Sequence, residues 1–118
     1  MTHDIYSHAT IREAGQCAAC RARTLQLIQD QPRRYLLRFR SEEDAFALAV
    51  VPGYDFSNAV DNAWAVGCNP GGQVGGTELD DDVIERAAVP VCTLLRNAAA
   101  VAAEDALAAA IKDVLEGR

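Results

Sequence analysis

The chain has 118 residues and a formal net charge of −6, and half of its residues are apolar although only 6% are aromatic. This length fits one domain over residues 1–118, with residues 1–9 as a mobile N-terminal segment. No run of eighteen apolar residues and no basic-then-apolar N-terminal signal occurs, which excludes a membrane span, disfavours secretion and predicts a cytoplasmic protein.

The first predicted element is a helix over residues 10–29. Thr10 and Glu13 have the spacing of a capping box, in which a hydroxyl and a carboxylate each bind a backbone N–H at the helix start. The apolar side chains that would share one helical face are Ile11, Ala14, Ala18, Leu25 and Ile28. A strand over residues 23–30 is the alternative, because apolar and polar residues partly alternate there.

A strand over residues 33–40 and a helix over residues 45–50 are predicted next. Alternation with a period of two places Tyr35, Leu37 and Phe39 on one face of the strand and Arg34, Leu36, Arg38 and Arg40 on the other. Ser41 and the three acids after it form a second capping signal, and Pro52 with Gly53 would end that helix. We expect the arginine face to be solvated or paired with Glu42, Glu43 and Asp44.

The second half of the chain is predicted to be mainly helical. A helix over residues 55–66 has an apolar stripe and ends at Gly67, and a short strand between Val74 and Leu79 would lie beside the first strand. A short helix over residues 83–88 follows the acids at 80–82. Pro90 would then open the longest helix, residues 91–115, which is rich in alanine.

These elements predict an α+β fold. We expect a mostly helical single domain with a small sheet of two or three strands and a long alanine-rich helix at its C-terminal end.

Five of the eight glycines lie within residues 67–76, after a helix and before a strand. Asn-Pro followed by paired glycines is typical of turns, and the spacing matches neither a dinucleotide fingerprint nor a phosphate-binding loop. We predict that this loop and the neighbouring acids form a partner-binding surface. Its residues are Asn69, Gly71, Gly72, Gln73, Asp80, Asp81 and Asp82. The alternative is a tight connection whose glycines only permit close packing.

The four cysteines give a weak metal signal. Cys17 and Cys20 form a CxxC pair, whereas Cys68 and Cys92 stand alone, and structural zinc sites usually show two close pairs. We therefore expect no metal, and keep as an alternative a zinc module ligated by these four thiolates or by the CxxC pair with His3 and His8. Dithiol redox chemistry at the pair is disfavoured, because no strand of large apolar residues leads into Cys17.

The charges are divided unevenly along the chain. Residues 1–40 hold seven arginines and three acids, and residues 41–118 hold four basic and fourteen acidic residues. If these regions fold onto opposite faces, the acidic side attracts a basic partner; the alternative is that the signs neutralise each other within one fold. Direct nucleic-acid binding is disfavoured, because Tyr35 and Phe39 would face away from the arginines and the acidic part repels phosphates.

No sequence pattern indicates catalysis. The acid runs lack the alternating ligands and central glycine of a calcium loop, and both histidines lie near the N-terminus, where they offer a poor platform for a general base. We therefore expect a small acidic non-enzymatic protein of the adaptor or inhibitor type. It would bind a basic protein partner, for example a nucleic-acid-processing complex. A homo-oligomeric structural protein built on the alanine-rich helix is the other alternative.

Overall fold

The computed structural model describes residues 17–41 and 46–117. Within these ranges the chain forms, in order, α1 (Ala18–Ile28), β1 (Arg33–Arg40), β2 (Ala47–Gly53), α2 (Phe56–Ala65), β3 (Gln73–Leu79), α3 (Asp81–Ala87), β4 (Leu95–Arg96) and α4 (Ala98–Glu116). The strands pair antiparallel in one sheet with the order β3-β1-β2-β4. The predicted α+β class and the long C-terminal helix are confirmed, and the sheet has four strands rather than two or three. Residues 1–9 lie outside the described ranges.

Helices cover the sheet on both faces. As predicted, the side chains of β1 alternate: Tyr35, Leu37 and Phe39 pack with α1 and α2, whereas Leu36 packs with α3 and α4. The two cores are separate clusters on opposite sides of one sheet. None of the helices in the described part of the chain has both the length and the apolar character needed to cross a membrane.

The helix predicted over residues 45–50 is wrong, because Ala47–Gly53 is strand β2. All seven of its residues are buried, and it pairs with β1 from Arg33↔Gly53 to Phe39↔Ala47. A strand buried on both faces needs a continuous apolar run rather than alternation, and such a run cannot be told from a short helix by periodicity. The capping signal at residues 42–44 lies outside the described ranges.

The predicted start of the longest helix is also wrong, since α4 begins at Ala98 and not near Pro90. The chain between these points returns to the open edge of β2. There the Cys92 N–H donates to the Val50 carbonyl at 2.7 Å, and Leu95 pairs with Leu48. A buried central strand needs partners for its backbone groups on both edges. That requirement outweighs the helix-starting preference of proline.

The other helices agree with prediction in position. Asp55 caps α2 by accepting a hydrogen bond from the Asn58 N–H at 2.8 Å, and Gly67 follows the helix with φ of 76°. α1 confirms the predicted helix within the described residues, but the capping box at residues 10–13 lies outside them. Its buried residues are Cys20, Thr24 and Ile28. Of the predicted face, Ile28 is buried and Leu25 packs against the core, whereas Ala18 is exposed. Cys20 and Thr24 were missed, because hydrophobicity alone does not select small polar side chains for a core.

Candidate functional site

The glycine-rich turn has a structural cause. Gly71 and Gly72 adopt φ of 90° and 82°, which L side chains rarely adopt, and the Asn69 side-chain oxygen accepts the Gly71 N–H at 2.8 Å. A side chain at Gly72 would overlap the Arg40 carbonyl oxygen. The turn therefore brings the chain from α2 closely against the end of β1, where β3 begins.

The predicted site residues do not form one cluster. Gln73 is the first residue of β3 and Asp80 follows its last, so the glycine turn and the acids lie about 20 Å apart along the strand. Gly72, Gln73 and the three aspartates are exposed, and Asn69 and Gly71 are half-buried. The two groups are therefore the two ends of one strand.

β3 lies at an edge of the sheet. It pairs with β1 on one side, and no strand of the described chain pairs with its other side. Gln73 and the four residues from Gly75 to Glu78 are exposed. An exposed edge strand presents backbone N–H and C=O groups to which another chain can add a strand.

α4 and α3 cover only part of their face of the sheet. Leu36, Leu48 and Val50 are buried beneath them, whereas Arg38 and Thr77, on the same face of the neighbouring strands, are exposed. The sheet face between α4 and the edge strand is therefore left uncovered at Arg38 and Thr77. We call it the α4–β3 groove.

Two cavities mark the ends of the α4–β3 groove. One, of about 420 Å³, is lined by Arg38, Arg40, Phe46, Val101, Glu104 and Asp105. The other, of about 200 Å³, is lined mainly by Glu78, Leu79, Asp80, Ile111, Val114 and Leu115. Val101, Ile111 and Leu115 lie on the flank of α4 beside the groove and are 50%, 39% and 67% exposed. The groove thus has an apolar wall and Asp80 at one end, while the other end carries Asp105, Arg40 and the paired side chains of Arg38 and Glu104.

Sequence reasoning missed this groove. One signal was available: apolar residues of α4 extend beyond its buried stripe of Ala100, Ala103, Leu107, Ala110 and Val114 onto the adjacent flank. A helix that uses a single buried stripe does not need that second set. The open sheet face beside it is visible only once the strand order is known.

Two of the four arginines of β1 pair with acids that are distant in the chain, and a third binds nearby backbone carbonyls. Arg38 Nε lies 3.2 Å from Glu104 Oε2 on α4, and Arg33 Nε lies 3.8 Å from Glu78 Oε1 on β3. Arg34 donates to the Gln31 and Gln29 carbonyls at 2.6 and 2.9 Å, near the end of α1. Since β1 is a central strand, its cations meet acids from the later part of the chain. These pairs favour the alternative in which the two signs neutralise each other.

The cysteines lie in two separate pairs, and none of the four is in a disulfide. Cys17 and Cys20 are at the start of α1, whereas Cys68 and Cys92 belong to the core between the sheet and α2. The described residues contain no group of three or more side chains placed to ligate a metal, and His3 and His8 lie outside them. The zinc alternative therefore has no preformed four-thiolate group in the described residues.

Burial keeps the Cys68 and Cys92 thiols protonated. Loss of water contact raises the pKa of the Cys68 thiol to about 12 and that of Cys92 to about 11, from an ordinary value of 9.0. Both thiols are therefore neutral and unreactive near pH 7.

Comparison with protein-family models, with curated proteins and with solved structures found no match to this chain. Function is therefore inferred from the edge strand, the α4–β3 groove and the thiols.

Proposed function

We propose that this chain is a non-catalytic protein-binding module, of the adaptor or inhibitor type, whose α4–β3 groove receives a basic segment of another protein. The observation that carries the proposal is the half-covered sheet face, where an exposed edge strand runs beside an apolar helix flank. The partner is a protein or a protein–nucleic acid complex.

The apolar wall supports a protein ligand. Single exposed apolar residues are common, but Val101, Ile111 and Leu115 share one flank of α4. Fourteen residues separate the first from the last, which is about 21 Å along a helix. An extended segment of about six residues covers that length. Such a segment can pair with β3 and pack its side chains against α4.

The carboxylates indicate a basic partner. Glu78 and Asp80 line the cavity at one end, together with Leu79 and Leu115. A lysine or arginine can pack its apolar stem on these leucines while its charged group meets the Asp80 carboxylate. Glu78 lies opposite Tyr35 in the strand register, so its carboxylate is on the other face of the sheet, where it pairs with Arg33. Asp81 and Asp82 follow Asp80 directly and are exposed. The proposed binding surface therefore still includes the three aspartates expected from sequence, Asp80, Asp81 and Asp82.

The glycine turn contributes at the opposite end. Gly71, Gly72 and Asn69 fix the point at which β3 enters the sheet, and Gln73 is the first exposed residue of the strand. We place Asn69, Gly71, Gly72 and Gln73 as the far boundary of the contact surface rather than as neighbours of the aspartates.

The test is site-specific cross-linking in the native cell. A photoreactive residue replaces Thr77, which is exposed within the α4–β3 groove, and captured peptides are identified by mass spectrometry. We expect one predominant protein, cross-linked through a segment rich in Lys or Arg. Leu115→Glu abolishes capture, because it places a charge on the apolar wall. The triple variant D80N/D81N/D82N weakens capture and flattens its salt dependence.

The matched control is D30N/D61N/D113N, which changes the net charge equally at three exposed positions outside the groove. It should capture as the wild type does. Equal capture by the control, the acidic triple and Leu115→Glu would contradict the proposal. A cross-link between two copies of the chain would instead support the homo-oligomer, the alternative that the exposed flank of α4 also favours.

A further inference from the structure

The first turn of α1 brings two thiols together. The helix begins at Ala18, so Cys17 is its N-cap residue, with extended backbone at φ of −94° and ψ of 118°, and Cys20 is the third helical residue. Residues three apart at a helix start have Cα atoms about 5 Å apart, which lies within the range that a disulfide spans. The CxxC spacing therefore permits a bond between the two sulfurs without unwinding the helix.

The two thiols differ in accessibility. Cys17 is half-buried, whereas Cys20 is only 1% exposed. A disulfide molecule in solvent can therefore reach Cys17 but not Cys20, so Cys20 reacts only with the neighbouring sulfur of Cys17. This asymmetry distinguishes an attacking thiol from a resolving one.

The helix end also favours the Cys17 thiolate. Interaction with the backbone N–H of Cys20 lowers the pKa of the Cys17 thiol, and the Cys20 side chain, the Ala19 backbone and the positive charge of Arg21 act in the same direction. Burial has the opposite effect on Cys68 and Cys92, whose pKa values are about 12 and 11. Among these three thiols, Cys17 is thus the one favoured as a thiolate, whereas Cys68 and Cys92 are kept protonated.

We infer that Cys17 and Cys20 form a dithiol–disulfide redox pair, with Cys17 as the attacking thiolate and Cys20 as the resolving thiol. The substrate class is a low-molecular-weight disulfide such as oxidised glutathione. This activity is independent of the α4–β3 groove. The inference differs from the expectation from sequence, which disfavoured redox chemistry because no apolar strand leads into Cys17; here the argument is the position of both cysteines at the start of α1.

The reaction balances without a further reactant. The Cys17 thiolate attacks one sulfur of oxidised glutathione and breaks its S–S bond. One glutathione leaves as a thiolate, and the other stays bound to Cys17 as a mixed disulfide. Cys20 then attacks the Cys17 sulfur, and its proton passes to the second glutathione, which is released as a thiol. The protein dithiol is oxidised by two electrons, and one glutathione disulfide is reduced to two thiols.

The experiment follows intact mass after reduced full-length protein is mixed with oxidised glutathione under native conditions. We expect the wild type to lose two hydrogens and retain no glutathione, with peptide mapping showing a Cys17–Cys20 linkage. Cys20→Ser should retain one glutathione on Cys17, and Cys17→Ser should give neither product. Cys92→Ser is the matched control and should react as the wild type does.

Three results would overturn the inference: a lasting glutathione adduct on wild-type Cys17, hydrogen loss by Cys17→Ser equal to that of the wild type, or a Cys68–Cys92 linkage as the main product. Because Cys20 is buried, Cys20→Ala serves as a second variant, with circular dichroism to verify folding. Alkylation of the wild type near pH 7 gives a readout without substitution. Cys17 should react about tenfold faster than Cys92, or more.

Discussion

Two adjacent glycines in β3 have different surroundings. A Cβ at Gly76 would overlap the Leu36 carbonyl oxygen and lie 3.1 Å from the Phe56 ring, whereas a Cβ at Gly75 would meet nothing within 4 Å. Gly76 therefore lets β3 approach β1, and Gly75 leaves space at the floor of the α4–β3 groove. The same residue type thus serves packing at one position and an open surface at the next.

This difference gives a matched pair of variants. Gly76→Ala should destabilise the fold by about 1–3 kcal/mol, because the strand pair must move apart to admit the methyl group. Gly75→Ala should change the free energy of unfolding by less than about 0.5 kcal/mol, or raise it, since the methyl group has room and glycine weakens a strand. Urea unfolding measures both. Equal effects of the two substitutions would show that the packing at Gly76 is not as described.

At the scale of elements, a buried amide joins α2 to its neighbours. The Asn62 side-chain N–H groups donate to the Pro52 carbonyl and to Gln31 Oε1, each at 2.9 Å, and Asn58 Oδ1 accepts the Tyr54 N–H at 3.0 Å. Asn62 is 9% exposed. The interaction connects the end of β2, the chain after α1 and the middle of α2, so it fixes how α2 lies on the sheet.

Asn62→Ala should therefore lower the free energy of unfolding by about 1–3 kcal/mol, because the Pro52 carbonyl loses its partner in a buried place. The control is Asp61→Ala, one residue earlier and exposed on the same helix, which should change it by less than about 0.5 kcal/mol. Chemical denaturation monitored by circular dichroism gives the comparison. A loss as small as that of the control would mean that water replaces the amide at no cost.

At the scale of the whole molecule, stability should decrease at alkaline pH. In the unfolded chain Cys68 and Cys92 ionise near 9.0, whereas in the fold their pKa values are about 12 and 11. Below pH 9 both thiols are neutral in the folded and in the unfolded state, so their full contribution to the free energy of unfolding is present there. Above pH 9 the unfolded state releases protons that the folded state retains. Stability then falls by up to about 1.4 kcal/mol per pH unit for each thiol.

Cys68→Ser removes one of the two titrating groups. The difference in unfolding free energy between wild type and variant should therefore shrink as the pH rises from 9 to 11. Cys17→Ser is the control, because the pKa of Cys17 is lowered in the fold and its contribution is not lost in that window. A difference curve for Cys68→Ser that is flat between pH 9 and 11 would show that the Cys68 thiol is not held neutral by burial.

Elements with local signals were predicted well. The alternation of Tyr35, Leu37 and Phe39 gave β1, and Asp55 with Gly67 gave α2. The two wrongly predicted elements depend on distant partners. β2 is a strand because β1 bonds one of its edges and the chain near β4 bonds the other. Residues 91–96 are not helical because they supply the bonds on that second edge. The residues within these two short segments do not indicate which strand they will pair with.

The candidate site follows the same division. Its residue types were found from sequence, including the paired glycines, the three aspartates and the CxxC pair. Their arrangement was not: β3 separates the glycines from the aspartates, and the apolar flank of α4 joins the surface.

The sequence by itself determined the fold class, the positions of three helices and the C-terminal part of the fourth, and the turn before β3, because caps, glycines and periodicity act over a few residues. Only the tertiary structure decided the order of the strands, the open half of one sheet face and the burial that separates Cys17 from Cys20. These depend on hydrogen bonds and packing between segments that are far apart in the chain.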